Sequence, residues 1–195
     1  MPHRPGIGLA VSLLLAGAVL IAQDPKGPEI LRPTDKSVWK AGPVSVVARV
    51  QGKGELRLDG KTIEARQLAP NALTATLNPA KGAHELVLVT SAGETKVNFF
   101  VGDAAPPGDF QPFRLHPPAA ACETCHAVQN GAWNLKGETA GESCFTCHDQ
   151  KPFAGIHGHN TEVLFECQMC HKPHGSAAAK HLKWPKEVAC KQCHG

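Results

Sequence analysis

The first 121 residues contain no cysteine, and the whole chain of 195 has no tyrosine. Methionine occurs twice, at Met1 and Met169, and aromatic residues make up only 5% of the chain. Both absences exclude a large aromatic core. One-sided charge is also missing, because 20 Lys and Arg face 17 Asp and Glu for a net charge of +3. That balance excludes the basic footprint of a nucleic-acid binder, a polybasic membrane patch and an acidic tail. No uncharged apolar run reaches the ~20 residues of a membrane-spanning helix.

The longest such run, residues 7–22, follows Arg4 and ends among the small residues Ala16, Ala18 and Ala22. This is the pattern of a secretory signal peptide, expected over 1–22. Cleavage after Ala22 would leave Gln23 first, and cleavage after Ala18 fits the small-x-small rule better. The expected location is periplasmic or extracellular, which permits disulfides and disfavours a reduced zinc site.

Residues 23–103 alternate apolar and polar positions between turn signals. Val44, Val46, Val47 and Val50 mark one strand, and Leu56 and Leu58 a second, closed by the hairpin pair Asp59-Gly60 before Ile63. Leu73 and Leu77 flank Thr74-Ala75-Thr76. Leu86, Leu88 and Val89 follow Gly82, and Val97, Phe99 and Val101 follow Gly93. Five or six strands at this spacing predict an all-β immunoglobulin-like sandwich. Pro33-Thr34-Asp35 before Val38, then Gly42-Pro43 before the Val-rich strand, resembles bacterial immunoglobulin-like modules. The one histidine here, His84, is expected to be a solvated polar residue. The sandwich is expected to dock, space or assemble, with docking to a membrane complex or self-assembly as its possible partnerships. Residues 104–113, rich in Pro and Gly, predict a semi-rigid linker.

Every cysteine lies between 122 and 195, and all eight fall in four copies of Cys-x-x-Cys-His. They are Cys122-Glu-Thr-Cys125-His126, Cys144-Phe-Thr-Cys147-His148, Cys167-Gln-Met-Cys170-His171 and Cys190-Lys-Gln-Cys193-His194. On a helical turn, positions i, i+3 and i+4 share a face. Two thiols there can form thioethers with the vinyl groups of one haem, and the histidine can reach its iron. The competing reading is two zinc ribbons, since the gaps from Cys125 to Cys144 and from Cys170 to Cys190 suit paired Cys-x-x-Cys sites. Zinc leaves the histidines unexplained: four of four by chance is about 10⁻⁵ at this histidine content. A disulfide framework or a redox Cys-x-x-Cys pair leaves them unexplained too.

The motifs form a duplicated unit, 114–152 and 153–195. Cys122 to Cys167 is 45 positions and Cys144 to Cys190 is 46. Leu115-His116-Pro117-Pro118 leads into the first unit and Ile156-His157-Gly158-His159 into the second. Asn134-Leu135-Lys136 matches His181-Leu182-Lys183. With the Lys172-Pro173-His174-Gly175-Ser176 run, these features resemble the doubled CxxCH family of multihaem c-type cytochromes, and are similar to class III tetrahaem cytochromes. The composition leaves histidine as the expected distal ligand, because Met169 sits inside a motif and tyrosine is absent. The candidates are His116, His157, His174, His181 and His159 for four positions. The resemblance favours His116, His157 and His174, with His181 or His159 as the fourth. Gln129 stands in the first unit where His174 stands in the second.

These readings imply four c-type haems in 82 residues, held by Cys122, Cys125, Cys144, Cys147, Cys167, Cys170, Cys190 and Cys193. His126, His148, His171 and His194 are the expected proximal ligands. Few large apolar side chains stand beside them, so the haems are expected to supply the interior, with short helices at the motifs and little other regular structure. The haem-free segment is expected to be disordered, and Trp133 and Trp184 to pack against haem. The segment has 8 basic and 7 acidic residues, and haem propionates would make it acidic, suited to a basic redox partner. The expected function is one-electron transfer along close haems, between a quinol-oxidising complex and a terminal reductase or outer-surface acceptor. The alternatives are a multihaem reductase with one open haem, and a zinc-ribbon protein.

Overall fold

The computed structural model describes residues 27–106, 108–116, 121–149, 159, 163 and 165–195. The expected signal peptide and His157 lie outside the described residues. Among the described residues no helix is long and apolar enough to cross a membrane.

Alternation makes the first half. In β3 (Val44–Arg49), Val44, Val46 and Ala48 are buried while the residues between them are half-exposed. The same period buries Leu73, Ala75 and Leu77 of β7 (Ala72–Leu77), and Val97, Phe99 and Val101 of β9 (Gly93–Val101). Leu86 and Leu88 of β8 (Gly82–Thr90) and Leu56 of β4 (Gly54–Leu58) complete the inner faces. Full burial of a side chain such as Phe99 or Leu56 contributes roughly 1.5–3 kcal/mol.

β1 (Glu29–Arg32), β3, β7 and β6 (Arg66–Ala69) form one sheet in the order β1-β3-β7-β6. The second runs β10-β2-β9-β8-β4-β5, with β2 (Ser37–Trp39), β5 (Lys61–Ile63) and β10 (Gln111–Pro112). The chain changes sheets between β1 and β2, at Pro33 and Thr34, and β2 then pairs parallel with β9. An opening strand split between two sheets, with Greek-key order behind it, is an immunoglobulin-like sandwich. Asp59 (φ 50°) and Gly60 (φ 78°) make the two-residue turn between β4 and β5.

The expected five or six strands become ten. β1, β2 and β6 are only three or four residues long, too short for an alternating pattern to announce them. The Pro/Gly stretch read as a linker over 104–113 is partly sheet: Gln111–Pro112 pairs with β2, and the Phe113 amide donates to Val38 O at 2.8 Å. The Phe113 ring stacks on Trp39, with centroids 4.4 Å apart and planes at 16°. Lys36 pairs with Asp109 beside it. The connection is thus stitched to the sandwich. His84, expected in solvent, is also corrected. Its side chain is 9% exposed, with Nδ1 2.8 Å from Asp59 Oδ2 and Nε2 2.8 Å from Ala80 O.

The second half is irregular. Strands β11 (His126–Gln129) and β12 (Ala132–Leu135) form a hairpin through Asn130 and Gly131, both at positive φ. Helix α1 (Ala140–Cys144) starts at Thr139, whose hydroxyl accepts from the Glu142 amide. Single 3₁₀ turns cover Cys122–Thr124, Cys167–Met169 and Ala179–His181, and short helices cover Lys186–Ala189 and Lys191–His194. Among its described residues, Ala140 is the one buried apolar side chain, whereas Leu115, Val128, Met169, Trp184 and Val188 are exposed.

Among the described residues, Asn71 and Phe113 tie the sandwich to the second half, and a backbone pair at Arg114 continues the seam. The Asn71 side chain donates to Trp133 O at 2.9 Å and accepts from the Trp133 amide at 2.8 Å. Arg114 and Ser176 exchange backbone hydrogen bonds of 3.0 and 3.1 Å. Gly175 (φ 111°) lies so close to Phe113 and Arg114 that a Cβ would sit 2.5 Å from Phe113 Cζ. Only glycine allows that approach.

Candidate functional site

Each Cys-x-x-Cys-His copy is a turn closed on its first cysteine's carbonyl. The amides of Cys125, Cys147, Cys170 and Cys193 donate to Cys122, Cys144, Cys167 and Cys190 at 3.2 to 3.4 Å. The amides of His148, His171 and His194 donate to the same carbonyls of their own motifs at 2.9 to 3.1 Å. His126 differs, because its backbone leaves the turn to enter β11. In the second, third and fourth copies the two thiols and the imidazole therefore leave one tight turn, as thioether attachment and iron ligation require, and in the first copy the two thiols do.

The duplication also has a structural counterpart. Lys136 N donates to Cys125 O and Lys183 N to Cys170 O, both at 2.8 Å. His126 pairs with Leu135 and His171 with Leu182 in matching antiparallel registers. The stretches 134–136 and 181–183, aligned on sequence alone, thus fold back on their motifs in the same way.

The histidines meet in pairs. His126 and His174 have ring centroids 5.9 Å apart and planes at 7°. His116 and His148 are 5.8 Å apart at 13°, and His159 and His194 are 5.9 Å apart at 29°. Each pair joins one motif histidine to one spare histidine. Two imidazoles bound to opposite sides of one metal, with bonds of about 2 Å, have centroids roughly 6 Å apart. The residues present therefore fit an axially ligated iron. Among the described residues no three His, Cys, Asp or Glu side chains converge on a common metal point.

The fifth candidate, His181, lies 5.0 Å from His116 at an angle of 58°, a packing contact unlike the three parallel pairs. The lead-in histidines also exchange their expected correspondence. The ring facing the second motif of its unit is His116 in the first unit and His159 in the second. Sequence matching had aligned His116 with His157.

Second contacts orient the rings. His116 Nδ1 is 3.1 Å from Pro173 O, and His171 Nδ1 is 3.0 Å from Lys180 O. A ring nitrogen held by a carbonyl carries the proton and leaves Nε2 as the metal donor. Burial pushes His174 down to about 4, helped by His126, Arg32 and His116, so its ring is neutral at physiological pH. Burial lowers His126 as well.

The eight cysteines form no disulfide. Burial, then the neighbouring Cys167 thiol, pushes Cys144 up to about 12. Motifs two and three thus stand back to back. Gly141 of α1 makes the approach possible, since a Cβ there would sit 2.9 Å from Phe165 O, and Phe145 meets Phe165 edge-on at 5.5 Å. Trp133 lies 5.9 Å from His126 at 17°, whereas Trp184 is 38% exposed under Lys183. Sequence reading missed Asn71 as a neighbour of this region, because its partner Trp133 lies far along the chain.

A family model of the doubled CXXCH motif matches residues 159–195, which contain the third and fourth copies. The match marks c-type haem binding and points to a multihaem cytochrome involved in electron transfer. No curated protein matches the chain. Among solved structures, it is similar to the fibronectin(III)-like modules of Clostridium thermocellum CbhA, with 15% identity and a TM-score of 0.33, over 40% of this chain and 99% of that one. It is also similar to a modular endo-beta-1,4-mannanase from Cellulomonas fimi, with 19% identity and a TM-score of 0.30, over 40% of this chain and 18% of that one. A twitchin kinase fragment with immunoglobulin domains from C. elegans has 16% identity and a TM-score of 0.28, over 41% of this chain and 22% of that one. The chain thus spans under a quarter of the mannanase and twitchin chains.

Proposed function

We propose that the protein is an exported tetrahaem c-type cytochrome that carries electrons singly between redox partners in respiration. The observation that carries this reading is the set of three parallel histidine pairs, each joining a Cys-x-x-Cys-His turn to a histidine from another part of the chain. When bound, the haems supply irons that accept and release one electron each.

The chain's own residues then divide the work. Cys122 and Cys125, Cys144 and Cys147, Cys167 and Cys170, and Cys190 and Cys193 anchor the four groups covalently. His126, His148, His171 and His194 are the proximal ligands. His174 would share a haem with His126, His116 with His148, and His159 with His194. His157, outside the described residues, is the candidate left for the haem of His171, and His181 packs beside His116. The carbonyls of Pro173 and Lys180 hold His116 and His171 in the metal-binding tautomer. With two histidines available to each haem, no open position would be left for a substrate, which favours electron transfer.

The exposed apolar side chains of the second half are the surfaces that the haems would cover. The loaded segment is acidic and suits a basic partner, with a quinol-oxidising complex as donor and a terminal reductase or outer-surface acceptor beyond. The sandwich docks the segment to such a complex. A pyridine haemochrome assay on the exported full chain tests the reading. Four c-type haems per chain are expected; a haem-free chain with bound zinc would overturn it.

A further inference from the structure

One turn serves two of the ring pairs. Lys172-Pro173-His174-Gly175 is closed by the Gly175 amide, which donates to Lys172 O at 3.2 Å. Proline in the second position and glycine in the fourth are favoured turn chemistry. Both central residues face a histidine pair. His174 is the partner of His126, at 5.9 Å and 7°. Pro173 O lies 3.1 Å from Nδ1 of His116, which is the partner of His148, at 5.8 Å and 13°. A tilt of this turn therefore moves both rings at once.

The turn is held at both ends. At its start, the Lys172 amide donates to His181 O at 2.7 Å. Beyond its end, Ser176 exchanges two backbone hydrogen bonds with Arg114, and the Arg114 guanidinium donates to Ala177 O at 3.0 Å. Gly175 and Ser176 are buried. Gly175 lies against the Phe113 ring, since a Cβ there would sit 2.5 Å from Phe113 Cζ and 2.9 Å from its Cε1.

Phe113 in turn belongs to the sandwich. Its amide donates to Val38 O of β2, its ring stacks on the buried Trp39, and it packs against the core cluster. Close-packed side chains transmit a displacement rather than absorb it. The line from the sandwich core to the rings thus runs through Trp39, Phe113 and Gly175 to His174 and Pro173. His159 and His194, the third parallel pair, are not part of that line.

We infer that Phe113 is a positioning residue for two haems: seated against Gly175, it fixes the ring planes of His174 and His116, and through them the axial geometry of the haems of motifs one and two. The inference rests on the cytochrome reading and gives the sandwich a hold on haem ligation as well as a docking role. Axial ligands are one of the protein's levers on a haem iron. The low-spin ferric resonance of an iron between two imidazoles depends on the angle between their planes, so it reports the position of the turn.

The test is low-temperature electron paramagnetic resonance of the oxidised, full-length, haem-loaded protein, comparing wild type with Phe113→Leu. Leucine keeps an apolar side chain and removes the ring that meets Gly175. The resonances of two haems should shift. Adding His159→Ala to Phe113→Leu should convert a different haem, one whose resonance had not moved. Phe99→Ala is the control, because it weakens the sandwich core without touching the turn: its melting temperature should fall and every resonance should stay in place. A lower melting temperature for Phe113→Leu with unchanged resonances, or an equal shift of all haems, would overturn the proposal.

Should Phe113→Leu fail to accumulate, Gly175→Ala disturbs the same contact from the other side and leaves the sandwich's own residues intact. The same two resonances should shift, and unchanged resonances would overturn the proposal. Wild type with four low-spin haems that ignore both substitutions would sink this inference alone. Haem-free wild type would sink the cytochrome reading with it.

Discussion

The two halves of the chain solve the problem of an interior in opposite ways. In the sandwich, fifteen buried apolar residues form one cluster, from Ile30 to Val101, and alternation in the strands creates it. In the segment after Phe113, Ala140 is the one buried apolar side chain among the described residues, and large apolar groups face outward. Backbone turns and histidine pairs organise that segment. The comparison teaches that one chain can carry a domain with a continuous apolar core beside a segment with almost no apolar interior of its own.

Preventing haem attachment should break the comparison most completely. Production without haem ligation should leave the sandwich folded and the segment beyond Phe113 open to protease. A fragment ending near that position should survive limited digestion, and far-UV circular dichroism should keep its β signal. Protease resistance through to Gly195 in haem-free protein would show that the segment folds alone.

Next in size is a cavity on the sandwich side. Phe99 is fully buried, and Phe99→Ala should cost about 3–5 kcal/mol of sandwich stability, read by denaturant melts. The haem count of the surviving folded protein should stay unchanged. A loss of haems in step with stability would mean that the halves fold as one unit.

The seam gives a smaller, sharper test. Asn71→Ala removes both side-chain bonds to the Trp133 backbone and should cost roughly 1–3 kcal/mol. The loss should appear as faster amide exchange in the β11–β12 hairpin. Unchanged exchange there would show that the contact does not hold the hairpin.

The smallest effect concerns acid. Burial raises the Asp59 carboxyl, but hydrogen bonds from His84 and the Glu85 amide outweigh it and hold the group below its ordinary value. A group depressed in the folded state stabilises above its unfolded pKa and loses that contribution as pH falls through its folded one. Asp59 is 47% exposed, so the effect is small. Asp59→Asn should flatten the acid limb of sandwich stability below about pH 4. An acid limb identical to wild type would show that other carboxylates set it.

Much of this organisation was legible from residue order. The strands around Val46, Leu56, Leu73, Leu86 and Phe99 show a period of two, and Asp59-Gly60 names its own turn. The repeated Leu-Lys stretches anticipated the matching bonds from Lys136 and Lys183. The short strands β1 and β6 were not legible, because Ile30-Leu31 and Leu68-Ala69 are adjacent apolar pairs without alternation. The pairing of His159 with His194 was hidden too. His157 and His159 are two positions apart in the same lead-in, and only the three-dimensional approach of His194 distinguishes them.

The central claim is that paired imidazoles mark the axial positions of haem irons. Low-temperature electron paramagnetic resonance of the oxidised, fully loaded protein tests it most directly. The account predicts low-spin ferric signals for every haem, with His159→Ala converting one haem and His181→Ala converting none. High-spin iron in the wild type, or conversion by His181→Ala with His159→Ala silent, would contradict it.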